Sequence, residues 1–359
     1  MRDYVKLMIP GPVAISEATY AAMASPMIGH RSSDFQKLYA ECQPRLQELF
    51  GTKQPVFLST SSAWGVMEGA IRNLVKKKVL CCCGGAFSDK WVDVARRCGK
   101  DAEAYQVEWG EPIDPAVLRE KLSSGEFDTV TLVHNETSTG CMNPIKEIAA
   151  VVREFDDVLL VTDTVSSFSV VKTEMDANGI DVILTGSQKA LALPPGLALF
   201  ACSDRAFARA ESIDDRGYYF DFIEFRANQE KDMTPSTPCI HTIFGLRQKL
   251  EEIFEEGLDA RFQRHEELNE KVHAWVRDRG FEFLAPEGYR SKSLTCVKNN
   301  REIDVAQLQK LMKSDHMIAL DGGYGKIKGK TFRISNMGNE THESMDECLE
   351  ALDDCLAKL

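Results

Sequence analysis

The sequence has no run of about 18 apolar residues, the length a helix needs to cross a bilayer. Its longest candidate, ALALPPGLALFAC, is broken by Pro194, Pro195 and Gly196. The amino terminus, MRDYVKLMIPGP, lacks the apolar core of a signal peptide. No membrane association is therefore expected, and a cytoplasmic location is. Positive charge is also in short supply: 43 Lys and Arg stand against 55 Asp and Glu, a formal net charge of −12. Such a surface repels nucleic acid and anionic lipid, so neither is expected as a partner. A small anionic substrate would need a local positive site.

Nucleotide-binding signatures are missing too, with no Walker P-loop and no GxGxxG. The 11 cysteines form no CxxC pair and no zinc spacing, so no metal is expected. Cys81, Cys82 and Cys83 stand together in VLCCCGG, where strand positions make them small buried hydrophobes. So many unpatterned thiols fit a reducing compartment.

What is present is an ordinary globular composition, 43% hydrophobic over 359 residues, enough for a large domain and a smaller one. Apolar runs alternate with helical patterns from residue 55 to about 200. Strands are expected at 55–61, 79–83, 104–109, 129–134, 158–163, 181–186 and 197–202. Helical segments such as 63–75 and 145–155 lie between them. This alternation predicts a mainly parallel, doubly wound α/β sheet. After about residue 240 the pattern becomes long, charged and helical, with an interruption at Gly257. Strands FEFL, SLTCVK and TFRISN follow, separated by helices at 304–314 and 341–358, the last capped by Thr341. That is a smaller α+β unit.

Ligands gather at the carboxyl ends of strands in open α/β sheets, so the residues just past each strand carry the functional reading. Ser62, Ala63, Trp64 and Gly65 open a helix whose free N–H groups suit a phosphate, although any helix start uses such caps. Gly84 and Gly85 allow close backbone approach before Phe87, either a ligand-facing ring or core packing. HNETSTG, 134–140, is either a solvated turn or a ligand-facing loop. GGYGKIKG, 322–329, reads as a plain turn. Asp163 ends a run of valines and leucines, where a carboxylate is costly unless a cation pairs with it. Lys189 follows the next strand, 26 residues on. A desolvated lysine has a lowered pKa and attacks carbonyls. The same two residues also fit a structural ion pair.

Nine segments taken in order resemble the class V aminotransferases of fold type I, enzymes that use pyridoxal 5′-phosphate. They are MIPGP, MIGHRSSDF, STSSAWGVMEGAI, GGAFSDKW, HNETSTG, LLVTDTVSSF, TGSQKALALPPG, TPSTPCIHTIFGLR and TFRISNMG, spanning residues 8 to 338. The nearest likeness is to the alanine–glyoxylate and serine–glyoxylate (serine–pyruvate) group. The resemblance implies a large domain around a seven-stranded sheet at 21–245, an arm near the active site at 1–20, and a small α+β domain at 246–359.

It also implies roles. Lys189 would hold the cofactor as a Schiff base and move the substrate α-proton. Asp163 would pair with the ring nitrogen. Ser62, Ala63, Trp64 and Gln188 would bind the phosphate, joined by Ser236 and Thr237 from a second subunit of a homodimer. Phe87 would stack on the ring, Val165 would pack beneath it, and Thr137 would face it. Arg333 would grip the substrate α-carboxylate through two parallel hydrogen bonds. The implied reaction moves an amino group from alanine or serine to glyoxylate or pyruvate.

Three features depart from the family pattern. Phe87 stands where relatives usually carry Trp. Ala63 and Trp64 replace a Gly and a smaller or His residue. The Tyr expected near the intersubunit phosphate contact is not evident in DMTPSTP. Related enzymes accept aspartate, phosphoserine or aminoethylphosphonate; an acidic donor would need a second cation, for which His30 and Arg31 are candidates. Those two also fit a surface turn. A cysteine desulfurase or lyase would usually stack His on the ring and carry a cysteine on a flexible loop. A fold relative that had lost catalysis would lack Lys189, Asp163 or Arg333.

Overall fold

The computed structural model describes residues 4–359. Seven strands form one sheet: β1 (Val56–Ser59), β2 (Lys78–Cys83), β3 (Asp101–Gln106), β4 (Thr129–Val133), β5 (Leu159–Asp163), β6 (Val182–Gly186) and β7 (Ala198–Cys202). Their order across it is β1-β7-β6-β5-β4-β2-β3. β7 runs antiparallel to both neighbours, and every other pair is parallel. All strands but β7 therefore end on the same edge.

Alternation along a strand sends successive side chains to opposite faces, and helices cover both. Leu80 and Cys82 pack in one core with Leu58, Leu132 and Ile183. Val79, Cys81 and Cys83 pack in the other with Phe57, Val161 and Leu184. The three cysteines are thus core residues, and burial pushes the Cys81 thiol up to about 11.

One strand differs from its expected place. β3 begins at Asp101 rather than at 104, because its register pairs Lys78 with Asp101 and Cys83 with Gln106. It is an edge strand with Glu103 facing outward to Lys78 Nζ, 2.8 Å away. Charge on an edge is tolerated, and it masks the apolar period.

Helices α1 (Ala63–Leu74) and α2 (Ala86–Arg97) follow β1 and β2 directly. Helix α3 (Ile240–Glu256) runs unbroken across residue 245, and its Ile243, Leu246, Leu250 and Ile253 join the core of the large sheet. Gly257, at φ +85°, separates it from α4 (Leu258–Asp278). Beyond lie three antiparallel strands, β8 (Glu282–Phe283), β9 (Leu294–Lys298) and β10 (Thr331–Ser335), and helix α5 (His342–Leu356). Thr341 caps α5, its Oγ1 accepting from Ser344 N at 3.2 Å.

The amino-terminal segment joins this second layer. Lys6–Leu7 pair in parallel with Ile318–Ala319, and Met8 lies in the core formed by α4, α5 and β10. The next residues turn toward the edge where the large-sheet strands end. Of the expected arm, Met1 to Asp3 lie outside the described residues.

Candidate active site

Five of the strands that end on the common edge, two of them through α1 and α2, bring side chains to one cleft. The first turns of α1, after β1, bring Ser62, Ala63, Trp64 and Met67. Phe87 comes from α2, after β2. Val133 closes β4, with Asn135 and Thr137 just past it. Asp163 ends β5, and Val165 follows. Gln188 and Lys189 stand past β6.

Asp163 is only 4% exposed. Its Oδ1 accepts a 2.8 Å hydrogen bond from Val165 N, and it makes no ion pair among the described residues. Burial pushes its carboxyl up to about 7 against the opposing pull of that N–H; Glu136 raises it further and Lys189 lowers it. The structural Asp–Lys pair that two residues alone allowed is therefore not formed.

Lys189 is the complementary case. Burial, and then the Arg333 charge, pull its amine down to about 8. Its Nζ donates to the Pro10 carbonyl. A Cβ on Gly11, whose φ is +103°, would stand 2.7 Å from Lys189 Cδ. The amino-terminal PGP turn thus forms one wall of the lysine's channel.

At the start of α1 the Ser62 side chain makes no capping hydrogen bond. The N–H groups of Ala63 and Trp64 have no protein acceptor among the described residues, so this helix end is open to an anion. The Lys90 ammonium lies 5.6 Å from the Trp64 ring centroid.

HNETSTG is neither a solvated turn nor simply a ligand loop. Glu136 is buried, and its carboxylate accepts from Ser88 N at 2.8 Å, Phe87 N at 3.4 Å and Ser138 Oγ at 2.7 Å. It caps α2 and fixes the backbone of Phe87. Gly85 is required for this: a Cβ there would lie 2.3 Å from Glu136 Cγ. Thr137 Oγ1 and Ser166 Oγ are hydrogen-bonded at 2.5 Å.

Arg333 is buried in β10, outside the cleft lining, with Nε donating to Asp321 Oδ1 at 2.7 Å and Nη1 to Thr137 O at 2.7 Å. Two guanidinium nitrogens are thus already engaged, and Nη2 has no hydrogen bond among the described residues. Ser236 and Thr237 do not line the cleft. Ser236 borders a separate hollow with Thr60 and Tyr219, and Thr237 lies 3.4 Å from His30 Nε2. Arg31 donates to the carbonyls of Thr234 and Pro235 at 2.8 and 2.9 Å. Its guanidinium is spent on this loop.

Sequence reasoning assigned no role to Met67, Val133, Asn135, Glu136, Gly11, Asp321 or Tyr324. Four of these stand inside quoted motifs, where the signal was present but the partner was not. Asp321 and Tyr324 belong to the segment around GGYGKIKG, read as a turn; the Tyr324 ring stacks on Phe87 with centroids 5.2 Å apart.

The family model described as Aminotransferase class-V matches residues 13–346. A serine–glyoxylate aminotransferase of Methylorubrum extorquens is 33% identical, the match covering 93% of this chain and 86% of that protein. An L-aspartate–glyoxylate aminotransferase of Paracoccus denitrificans is also 33% identical, covering 93% and 87%. The crystal structure of an alanine–glyoxylate aminotransferase from Nostoc sp. superposes with a TM-score of 0.94 at 30% identity, over 99% of this chain and 96% of that one. With the amine and the unpaired carboxylate in one cleft at the strand ends, this chain belongs to the class V aminotransferases, fold type I enzymes that depend on pyridoxal 5′-phosphate.

Proposed function

We propose that the enzyme transfers the amino group of alanine or serine to glyoxylate or pyruvate by a ping-pong mechanism. One observation carries the site assignment: Asp163 and Lys189 are desolvated in one cleft without pairing to each other. Such a carboxylate requires a cation from elsewhere, and such an amine gives up its proton far more readily than an ordinary lysine. Both requirements suit pyridoxal 5′-phosphate, whose ring nitrogen is cationic when protonated and whose aldehyde condenses with an amine. The open start of α1 suits its phosphate.

In this reading Lys189 Nζ holds the cofactor, and Asp163 holds the proton on the ring nitrogen. Ser62, Ala63, Trp64 and Gln188 cradle the phosphate, Phe87 and Val165 flank the ring, and Thr137 faces it. The bound cofactor supplies an electron sink for the substrate Cα–H bond. Freed Lys189 takes the α-proton as a base and gives it up again as an acid. Burial and the Arg333 charge, which lower the pKa of this amine, favour the neutral form it needs as a base. The Arg333 guanidinium binds the α-carboxylate with the donors that Asp321 and Thr137 leave free.

The three relatives share glyoxylate in their names and differ in the donor, which supports glyoxylate as acceptor. The engagement of Arg31 by backbone carbonyls favours a small donor over an acidic one. We further propose a cytoplasmic homodimer in which Ser236 and Thr237 reach the partner's phosphate site.

The test is a half-reaction screen: purified holoenzyme is mixed with single donors, and the absorption of the bound cofactor is followed. Alanine or serine should convert it fully, and glyoxylate should restore it. Conversion by aspartate or phosphoserine alone would overturn the donor assignment. Sulfide release from cysteine would point to a desulfurase instead.

A further inference from the structure

The segment from Gly322 to Gly329 is not a plain turn. Gly323, Gly325 and Gly329 lie at φ +88°, +58° and +76°. A Cβ on Gly323 would come within 2.6 Å of Thr331 Oγ1 and 2.8 Å of Ile327 O. Gly329 N donates to Gly322 O at 2.8 Å, and Gly323 N to Asp321 Oδ1 at 2.8 Å. That same Asp321 oxygen holds Arg333 Nε. The loop is therefore built to one shape and tied at its root to the arginine.

Its outer part rests on the large domain. Gly325 packs so closely on Trp109 that a Cβ would stand 3.0 Å from the indole. The Lys326 ammonium lies 4.5 Å from the Trp109 ring centroid, and Trp109 Nε1 is anchored to Asp89 Oδ2 at 2.9 Å. These contacts present Tyr324 to two groups at once. Its ring stacks on Phe87 at 5.2 Å with a 22° interplanar angle, and the Arg333 guanidinium carbon stands 5.8 Å from its centroid.

Core filling does not explain this ring, which is 38% exposed. Its hydroxyl has no hydrogen-bond partner among the described residues, so no polar anchor explains it either. What remains is its position beside both the ring-stacking phenylalanine and the carboxylate-binding arginine. The ring thus stands within 5.8 Å of the arginine and 5.2 Å of Phe87, where the side chain of a donor bound through Arg333 would meet it.

We propose that Tyr324 is a specificity-determining residue, a wall that limits the donor to small amino acids. This rests on the assignment of Arg333 to the substrate carboxylate. The wall acts by shape, through the face of the ring, and the hydroxyl contributes little. Because Trp109 and Asp321 anchor the loop independently of Tyr324, truncating the ring opens space without releasing the loop.

The experiment compares wild type, Tyr324→Ala and Tyr324→Phe holoenzymes in half-reactions with alanine, leucine and phenylalanine. In Tyr324→Ala the kcat/KM ratio of leucine or phenylalanine to alanine should rise by at least about 10-fold, the effect of one or two methylenes in an apolar site. In Tyr324→Phe that ratio should stay within about 2-fold of wild type. An unchanged ratio in Tyr324→Ala overturns the proposal, as does an equal rise in Tyr324→Phe.

A second measurement separates this inference from the catalytic reading. Acetate and 3-phenylpropionate, which cannot react, are titrated against each holoenzyme by Trp fluorescence and by trypsin cleavage at Lys326 and Lys328. Tyr324→Ala should gain affinity for 3-phenylpropionate relative to acetate; no gain overturns the wall even if every half-reaction proceeds. If wild type transaminates none of the donors but the carboxylate preference still shifts, the wall stands and the proposed reaction falls.

Discussion

Gly11 lies against the stem of Lys189 so closely that a Cβ on the glycine would be 2.7 Å from the lysine Cδ. The backbone there is at φ +103°, a region L side chains rarely enter. The neighbouring Pro10 carbonyl accepts from the Lys189 amine. Two short contacts thus aim the amine, and both come from the amino-terminal segment.

Gly11→Ala should therefore displace Lys189 while leaving the two sheet cores intact. Cofactor affinity, read by absorption titration, is expected to fall by about 5- to 150-fold, from a strain on the order of 1–3 kcal/mol. Far-ultraviolet circular dichroism should be unchanged. Wild-type affinity in Gly11→Ala would mean the lysine stem has another path to the cleft.

Asp163 predicts opposite effects on the loaded and the cofactor-free protein. Its folded pKa, about 7, lies above the ordinary 3.8. The ionised form is thus disfavoured by folding: the cost is absent below about pH 4, grows through the interval to pH 7, and is fully present above it. Cofactor-free Asp163→Asn should then be more stable than wild type by roughly 2–4 kcal/mol at pH 8, with the advantage vanishing at pH 4. Thermal unfolding across this range measures it. The same variant should bind the cofactor about 10–100-fold more weakly, since a charged hydrogen bond is lost. A stability gain independent of pH would refute the argument.

Arg31 joins Thr234 and Pro235, the residues leading into Ser236 and Thr237. If its work is to hold that loop, Arg31→Ala should reduce alanine and aspartate half-reactions by the same factor, within about 2-fold, and weaken cofactor binding. A loss confined to aspartate would make it a reader of acidic side chains instead.

The strands and their burial were legible because a buried parallel sheet writes itself as apolar runs, and Leu80 to Cys83 show this well. Lys189 and Asp163 were legible for the opposite reason: charge is conspicuous at the end of such a run. What stayed hidden were the partners of these groups. Glu136 reads as a polar loop residue until the fold puts the first turn of α2 over it, 48 residues earlier in the chain. Tyr324 sits in a glycine-rich turn, and no local pattern shows that the turn reaches Phe87. Arg31 looked like a spare cation because the carbonyls it binds lie 203 and 204 residues away. Charge and periodicity are local signals, whereas a hydrogen bond to a distant backbone leaves none.

Arg333 gives the sharpest kinetic test of the substrate site. Its planar group meets three directions at once: Nε toward Asp321, Nη1 toward Thr137 O, and Nη2 with donors free. A lysine has one ammonium on a flexible stem and cannot hold Asp321 and Thr137 while reaching a carboxylate. Arg333→Lys keeps the charge and loses this geometry. If Arg333 binds the substrate carboxylate as proposed, KM should rise about 100-fold for both the amino donor and the 2-oxo acid, since each would present a carboxylate to the same fork; this corresponds to about 2.7 kcal/mol of lost charge-assisted bonding. The absorption spectrum of the bound cofactor should change little, since the substituted lysine keeps the positive charge that acts on Lys189. A large fall in cofactor affinity with KM untouched would instead assign Arg333 to the packing of Thr137 rather than to the substrate.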